Sequence, residues 1–260
     1  MGKLVAVWGK SGSGKSVLAV NLSCALAKRK LKVALIDAKR YYGSVQHYFG
    51  MTIGKDESLR SYFSDMMYSN IEKYFIECNS IKNLYISSQS NYDDCMGFIK
   101  HDREKVRRFF NLVRECFDLV IVDCDESIDD ALSMLCLTDS DKVIYVTRPT
   151  IQFAAFSHGI ENLAEGLNLL EKTQVVMNYD KRNEDVSIFA PFGKGVGYLV
   201  IPYCQTIEEM ENSGKPIILS NSRDKSVKRY ISKINELSDS LVSSLEYEYA
   251  GEAYVLAAEC

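Results

Sequence analysis

The sequence has no apolar run near the ~18 residues that a membrane-crossing helix needs; its runs stop at about five, as from Leu4 to Trp8. A helical membrane span is therefore not expected. The start also lacks the long apolar segment of a signal peptide, and Ala6 stands where a myristoylation signal carries Ser or Thr, which points to the cytosol. None of the eight cysteines forms a C-x-x-C pair, and the three histidines, His47, His101 and His158, lie far from any cysteine pair. A disulfide framework and a structural zinc site are both disfavoured, and the cysteines read as small apolar core residues in a reducing compartment. Nor is there a basic excess: 31 Lys+Arg against 35 Asp+Glu leave a net charge of -4, so nucleic-acid binding would have to be local. No Pro-, Gly- or Ser-rich stretch splits the chain, and residues 1–245 are expected to form one domain.

What the sequence does contain, 47% apolar and 25% charged residues over 260 positions, is the make-up of a soluble globular chain. Short β-branched runs alternate with amphipathic stretches, the pattern of βα units around a mostly parallel twisted sheet covered by helices on both faces. Strands are expected at Leu4 to Val7, Lys32 to Ile36, Asn83 to Ser87, Leu119 to Asp123, Val143 to Thr147, Gln174 to Met177 and Tyr198 to Ile201. Several are apolar on both parities, as strands buried on two faces should be. Helices are expected at Lys15 to Arg29, Arg103 to Cys116, Phe153 to Leu170 and Ile207 to Ser213. From Val227 the apolar positions Tyr230, Ile231, Ile234, Leu237, Leu241 and Leu245 follow at helical spacing, so a last helix is expected to pack on the sheet. Its outer face mixes Lys228, Arg229 and Lys233 with Glu236 and Asp239, unlike the Lys/Arg-dominated face of a lipid-bound helix. Residues 246–260 are acidic, hold Tyr247, Tyr249 and Tyr254, and read as a flexible tail.

The run Gly9-Lys10-Ser11-Gly12-Ser13-Gly14-Lys15-Ser16 satisfies G-x-x-x-x-G-K-[ST] and lies between a strand and an amphipathic helix that continues through Val17, where a phosphate-binding loop requires it. Gly12 and Gly14 let the backbone approach phosphate oxygens, while successive N–H groups and the helix N-terminus supply partial positive charge. Lys15 should reach the β- and γ-phosphates of a nucleotide, and the Ser16 hydroxyl is placed to bind Mg²⁺.

Lys10, a second lysine directly after the first glycine, resembles the deviant Walker A motif of the MinD/ParA family, with Ser11 in place of a family glycine. Further segments resemble that family in order along residues 3 to 245. Val33-Ala34-Leu35-Ile36-Asp37 is similar to its second strand, and Phe117 to Asp123 to its Walker B strand. Thr147-Arg148-Pro149, Val175-Val176-Met177-Asn178, Ile201-Pro202-Tyr203 and Gly214-Lys215-Pro216 resemble its later landmarks. The resemblance implies a P-loop ATPase with ATP and Mg²⁺ as cofactors. It implies Asp37 and Asp123 joining Ser16 around the ion, and Asn178 and Pro202 at the adenine. It also implies a homodimer with ATP sandwiched at the interface, in which Lys10 reaches the partner's nucleotide.

One departure matters. The family's second strand usually ends in D-x-D, and here it ends in Asp37-Ala38-Lys39. The missing carboxylate positions the attacking water in the family, so hydrolysis is expected to be weak or partner-dependent unless Asp37, Asp125 or Glu126 takes over. The divergence resembles that of pilus-localising members, and positioning a pilus or secretion assembly, through a protein partner, is the first expected role. ParA-like DNA partitioning is the second, with Arg223, Lys225, Lys228 and Arg229, together with Lys105, Arg107 and Arg108 on an earlier helix, as candidates for non-specific DNA contact. Two readings of other classes stand beside these. Bacterial tyrosine kinases share the scaffold and a C-terminal tyrosine cluster, but Lys10 and Cys124-Asp125-Glu126 argue against them; a non-enzymatic module, whose bound nucleotide only fixes a dimer, is the other.

Overall fold

The computed structural model describes residues 1–64, 70–93, 101–180, 189, 191–192 and 197–258, without the side chains of 179, 180 and 246–258. Its eight described strands form a single sheet. They are β1 (Lys3–Trp8), β2 (Val33–Asp37), β3 (Ile76–Glu77), β4 (Leu84–Ser87), β5 (Leu119–Asp123), β6 (Lys142–Thr147), β7 (Thr173–Asp180) and β8 (Tyr198–Pro202), in the spatial order β3-β4-β2-β5-β1-β6-β7-β8. Only the short β3 runs antiparallel to its neighbour, β4. All seven expected strands are present, and β3 adds an edge that two residues could not announce in the sequence.

Period-2 alternation distributes the core between two faces. From β1, Val5 and Val7 face the cluster that contains helix α1 (Lys15–Lys28) and the last helix, while Leu4, Ala6 and Trp8 face the other. On that second face lie α2 (Leu59–Ser64) and α3 (Arg103–Cys116), with an aromatic group built from Tyr62, Phe63, Phe75 and Phe109. The sequence of α3 shows why it forms: Asp102 caps it by accepting from the backbone N–H groups of Glu104 and Lys105, and Val106, Phe109, Phe110 and Val113 make one buried stripe. Helix α1 is apolar almost all round because it lies between the sheet and the C-terminal helix.

Two helical expectations change. The stretch from Phe153 to Leu170 is not one helix: α4 (Ala131–Asp139) is followed, after β6, by α5 (Ile151–Gly159) and α6 (Glu161–Gly166). Gly159 gives α5 a weak end, Ile160 leaves helical geometry at ψ 1°, and Asn168 closes α6 at φ 52°, which brings Leu169 into the core. After α7 (Thr206–Asn212), α8 spans Lys225–Ala258, buries Val227, Tyr230, Ile234, Leu237, Leu241 and Leu245, and continues through the segment that reads as a tail. The side chains of Tyr247, Tyr249 and Tyr254 lie outside the described residues. Among the described residues, no helix is long and apolar enough to cross a membrane.

Sheet order also positions the site. Because β5 is inserted between β1 and β2, Asp37 and Asp123 are register partners at adjacent strand ends, and Val7 pairs with Asp123 across the other side. Asp37 shares the parity of Val33 and Leu35, and Asp123 that of Leu119 and Ile121, all of which face α1. Both carboxylates therefore rise on the side where α1 begins, at the carboxyl edge where open α/β sheets bind ligands.

Candidate functional site

The loop from Gly9 to Gly14 turns back on itself, with Ser13 N donating to the Lys10 carbonyl at 3.1 Å and Leu18 N to that of Gly14 at 3.0 Å. Gly9, Gly12 and Gly14 hold φ of 152°, 79° and 87°, conformations that side-chain-bearing residues rarely adopt. At Gly9 a Cβ would also stand 2.2 Å from the Val146 carbonyl, so only glycine lets the loop leave β1 so close to β6. Lys15, buried at 7% exposure, opens α1 and is followed by Ser16. Trp8 Nε1 donates to the Glu126 carbonyl at 3.2 Å, and Ser11 N donates to the Glu126 carboxylate at 2.6 Å. Of the two acids after β5 considered, with Asp37, as substitutes for the missing one, Glu126 thus reaches the loop, whereas Asp125 accepts from the Glu126 backbone N–H at 2.7 Å.

Asp37 is fully buried and organises the loop after β2. Its Oδ2 accepts from the backbone N–H groups of Ser44 at 2.6 Å and Val45 at 2.9 Å, and from the Ser88 hydroxyl at 3.3 Å. Its Oδ1 accepts from the Lys39 backbone N–H at 3.2 Å. That hydrogen-bonded turn folds residue 39 back over the strand ends. There the Lys39 ammonium donates to the Ser16 hydroxyl at 2.7 Å, the Ser44 hydroxyl at 2.5 Å and Asp123 Oδ2 at 2.9 Å, with Asp37 Oδ1 at 3.9 Å. Burial alone would lower the pKa of this ammonium, but the Asp123 and Asp37 carboxylates outweigh it and hold the group above its usual range.

Ser16, Asp37 and Asp123 are oxygen donors of the kind Mg²⁺ takes, and Asp123 Oδ1 is buried with no hydrogen-bond partner among the described residues. An ion bound by Ser16 Oγ would stand about 2.1 Å from it. Lys39 Nζ already engages that oxygen and Asp123 Oδ2, and two cations on the same acceptors repel strongly in a buried site. With Lys39 in this position the residues present do not fit the ion.

The other side of the loop is built differently. Asn178, at the end of β7, donates from Nδ2 to the Ser13 carbonyl at 3.1 Å. The resemblance implies Asn178 at the adenine; here one of its two amide donors braces the phosphate loop, and its Oδ1 is buried with no partner among the described residues. Pro202 ends β8, half-buried, in register with Asp180. Arg148 donates to the Gly12 carbonyl at 3.3 Å, and its guanidinium and the Lys10 ammonium lie 5.9 and 5.7 Å from the Phe153 ring centroid. The contacts of Ser44, Ser88 and Phe153 have no sequence signal, since none belongs to a phosphate-loop pattern, whereas Arg148 lies in the Thr147-Arg148-Pro149 segment that the sequence does mark. The two basic groups do not meet: Arg223, Lys225, Lys228 and Arg229 surround the head of α8 on one face of the sheet, and Lys105, Arg107 and Arg108 lie on α3 on the other. Arg107 is also 3.5 Å from the Asp139 carboxylate.

Comparison with known proteins agrees with this architecture. A family model described as an AAA domain matches residues 2–180. The sporulation initiation inhibitor protein Soj of Bacillus subtilis is 24% identical over 260 residues, which take in 92% of this chain and 99% of Soj. Among solved structures, the septum site-determining protein MinD of Pyrococcus horikoshii, complexed with Mg-ADP, is 20% identical and superposes with a TM-score of 0.74 over 93% of this chain and 98% of its own. A ParA family ATPase from Chlorobium tepidum is 18% identical, with a TM-score of 0.75 over 91% and 98% of the two chains. With a family model matching most of its length and the fold it shares with MinD and ParA structures, the chain belongs to the MinD/ParA family of P-loop ATPases.

Proposed function

We propose that this chain is a nucleotide-driven dimerisation switch that binds ATP at the Gly9–Ser16 loop, hydrolyses it slowly, and positions another assembly, a pilus or secretion complex being the first candidate. The observation that carries the reading is the cradle itself: three glycines at positive φ in the turn that leads into the buried Lys15 at the head of α1. Slow turnover follows from Lys39, because an ammonium has three donors and no acceptor and cannot take the proton of an attacking water. ParA-like partitioning on DNA is a second reading, favoured by the exposure of Arg223, Lys225, Lys228 and Arg229 together at the head of α8. In either role Lys10 acts across the dimer. Light scattering with ATP and with ADP tests the switch: ATP should convert monomers to dimers, and Lys10→Ala should abolish this while keeping nucleotide affinity within about threefold, well under 1 kcal/mol. A wild-type protein that stays monomeric with every nucleotide would overturn the reading.

A further inference from the structure

We propose that Lys39 is a resident cation that takes the place of Mg²⁺, so that this chain binds nucleotide without a divalent ion. The inference rests on nucleotide binding at the Gly9–Ser16 loop and goes beyond it to the ion requirement of that site.

Three observations converge on it. First, the ammonium sits on the oxygens an ion would use, Ser16 Oγ at 2.7 Å and Asp123 Oδ2 at 2.9 Å, with Asp37 Oδ1 a further 3.9 Å contact. Second, its third donor is taken by Ser44 Oγ at 2.5 Å, so all three N–H groups have acceptors. Third, its approach is built into the backbone: the Asp37 carboxylate collects the N–H groups of Lys39, Ser44 and Val45, and this turn aims residue 39 at the strand ends.

Charge explains why the arrangement persists. Two fully buried carboxylates, Asp37 and Asp123, need compensation at close range, and a lysine tethered two residues from one of them supplies it at all times. A free divalent ion would have to displace that ammonium from its three acceptors and then bind at the same oxygens. Because Lys39 brings one positive charge near Ser16 at the mouth of the phosphate loop, it also offers the phosphates part of the neutralisation that an ion supplies elsewhere.

The test is titration calorimetry of the full chain with ADP and ATP, in Mg²⁺ and in EDTA, joined to Mn²⁺ binding followed by electron paramagnetic resonance. The expected wild-type result is dissociation constants that agree within about threefold in the two buffers, with no Mn²⁺ bound to the protein alone. Lys39→Ala should bind Mn²⁺ and lose about tenfold or more in nucleotide affinity when EDTA replaces Mg²⁺; circular dichroism checks that it folds. The wild-type comparison needs no variant, so a misfolded Lys39→Ala protein leaves it decisive. Wild-type binding that weakens tenfold in EDTA would overturn the inference and leave the nucleotide site intact, as would a folded Lys39→Ala protein that is equally indifferent to the ion. Absence of nucleotide binding in both buffers would overturn the phosphate-loop reading as well.

Discussion

The two corners of the site, at the ends of β2 and β5 and at the ends of β6 and β7, are satisfied in opposite ways. In the first, Lys39, Asp37, Asp123, Ser16 and Ser44 form a set closed around the lysine, each of whose donors meets an acceptor, while Asp123 Oδ1 is left without a hydrogen-bond partner among the described residues. In the second, Ser13 Oγ, Thr147 Oγ1 and Asn178 Oδ1 are buried with no hydrogen-bond partner among the described residues. A buried polar atom left unsatisfied costs about 1–3 kcal/mol, a cost that a ligand offering hydrogen bonds recovers. The first corner is thus assembled by the chain itself, while the second stands to gain from what binds there. Charge demands local compensation whether or not a ligand is present; neutral hydroxyls and amides tolerate waiting for one.

The largest expected effect removes the buried cation that opens α1. Lys15→Ala deletes it, and nucleotide binding measured by calorimetry should disappear. Unchanged affinity would mean that neither corner binds phosphate.

Next comes the chemical character of the closed corner. Lys39→Asp replaces three donors by an acceptor at the position where the family usually has one, and single-turnover phosphate release should rise by on the order of 10² to 10⁴. If the wild type already hydrolyses ATP as fast as the variant, another acid orients the water, and Glu126, bonded to Ser11 N at 2.6 Å, becomes the group to change.

The smallest effect belongs to the open corner. Asn178→Ala removes the hydrogen bond to the Ser13 carbonyl, and urea unfolding should show a loss of about 1–3 kcal/mol. Stability that does not change would show that the amide is held for a ligand and not for the loop.

Much of this fold can be read from the sequence because its rules are local. The fully buried strands Val33–Asp37 and Leu119–Asp123 announce themselves as apolar on both parities, and the spacing of Val106, Phe109, Phe110 and Val113 marks one face of α3. The break at Ile160 was hidden because the apolar spacing of Phe153, Phe156, Ile160 and Leu163 continues across it, while the chain turns at Gly159 to bring Leu169 inside. The sequence likewise shows the lysine at position 39 as a departure but not its destination. Bases on α3 and α8 look like one resource in the sequence, and the sheet separates them.

The phosphate-loop pattern, the alternation of buried strands and helices, and the missing second carboxylate after β2 all follow from the order of residues alone. Glycine freedom, side-chain period and residue identity are properties of neighbouring positions, so no distant contact is needed to specify them. The meeting of Ser16, Lys39, Ser44 and Asp123 is a product of the fold. Their meeting depends on β5 lying between β1 and β2, which brings strand ends 86 positions apart in sequence, Asp37 and Asp123, into register within one buried corner. Once two carboxylates were placed there out of water, the cation nearest in the chain was drawn to them.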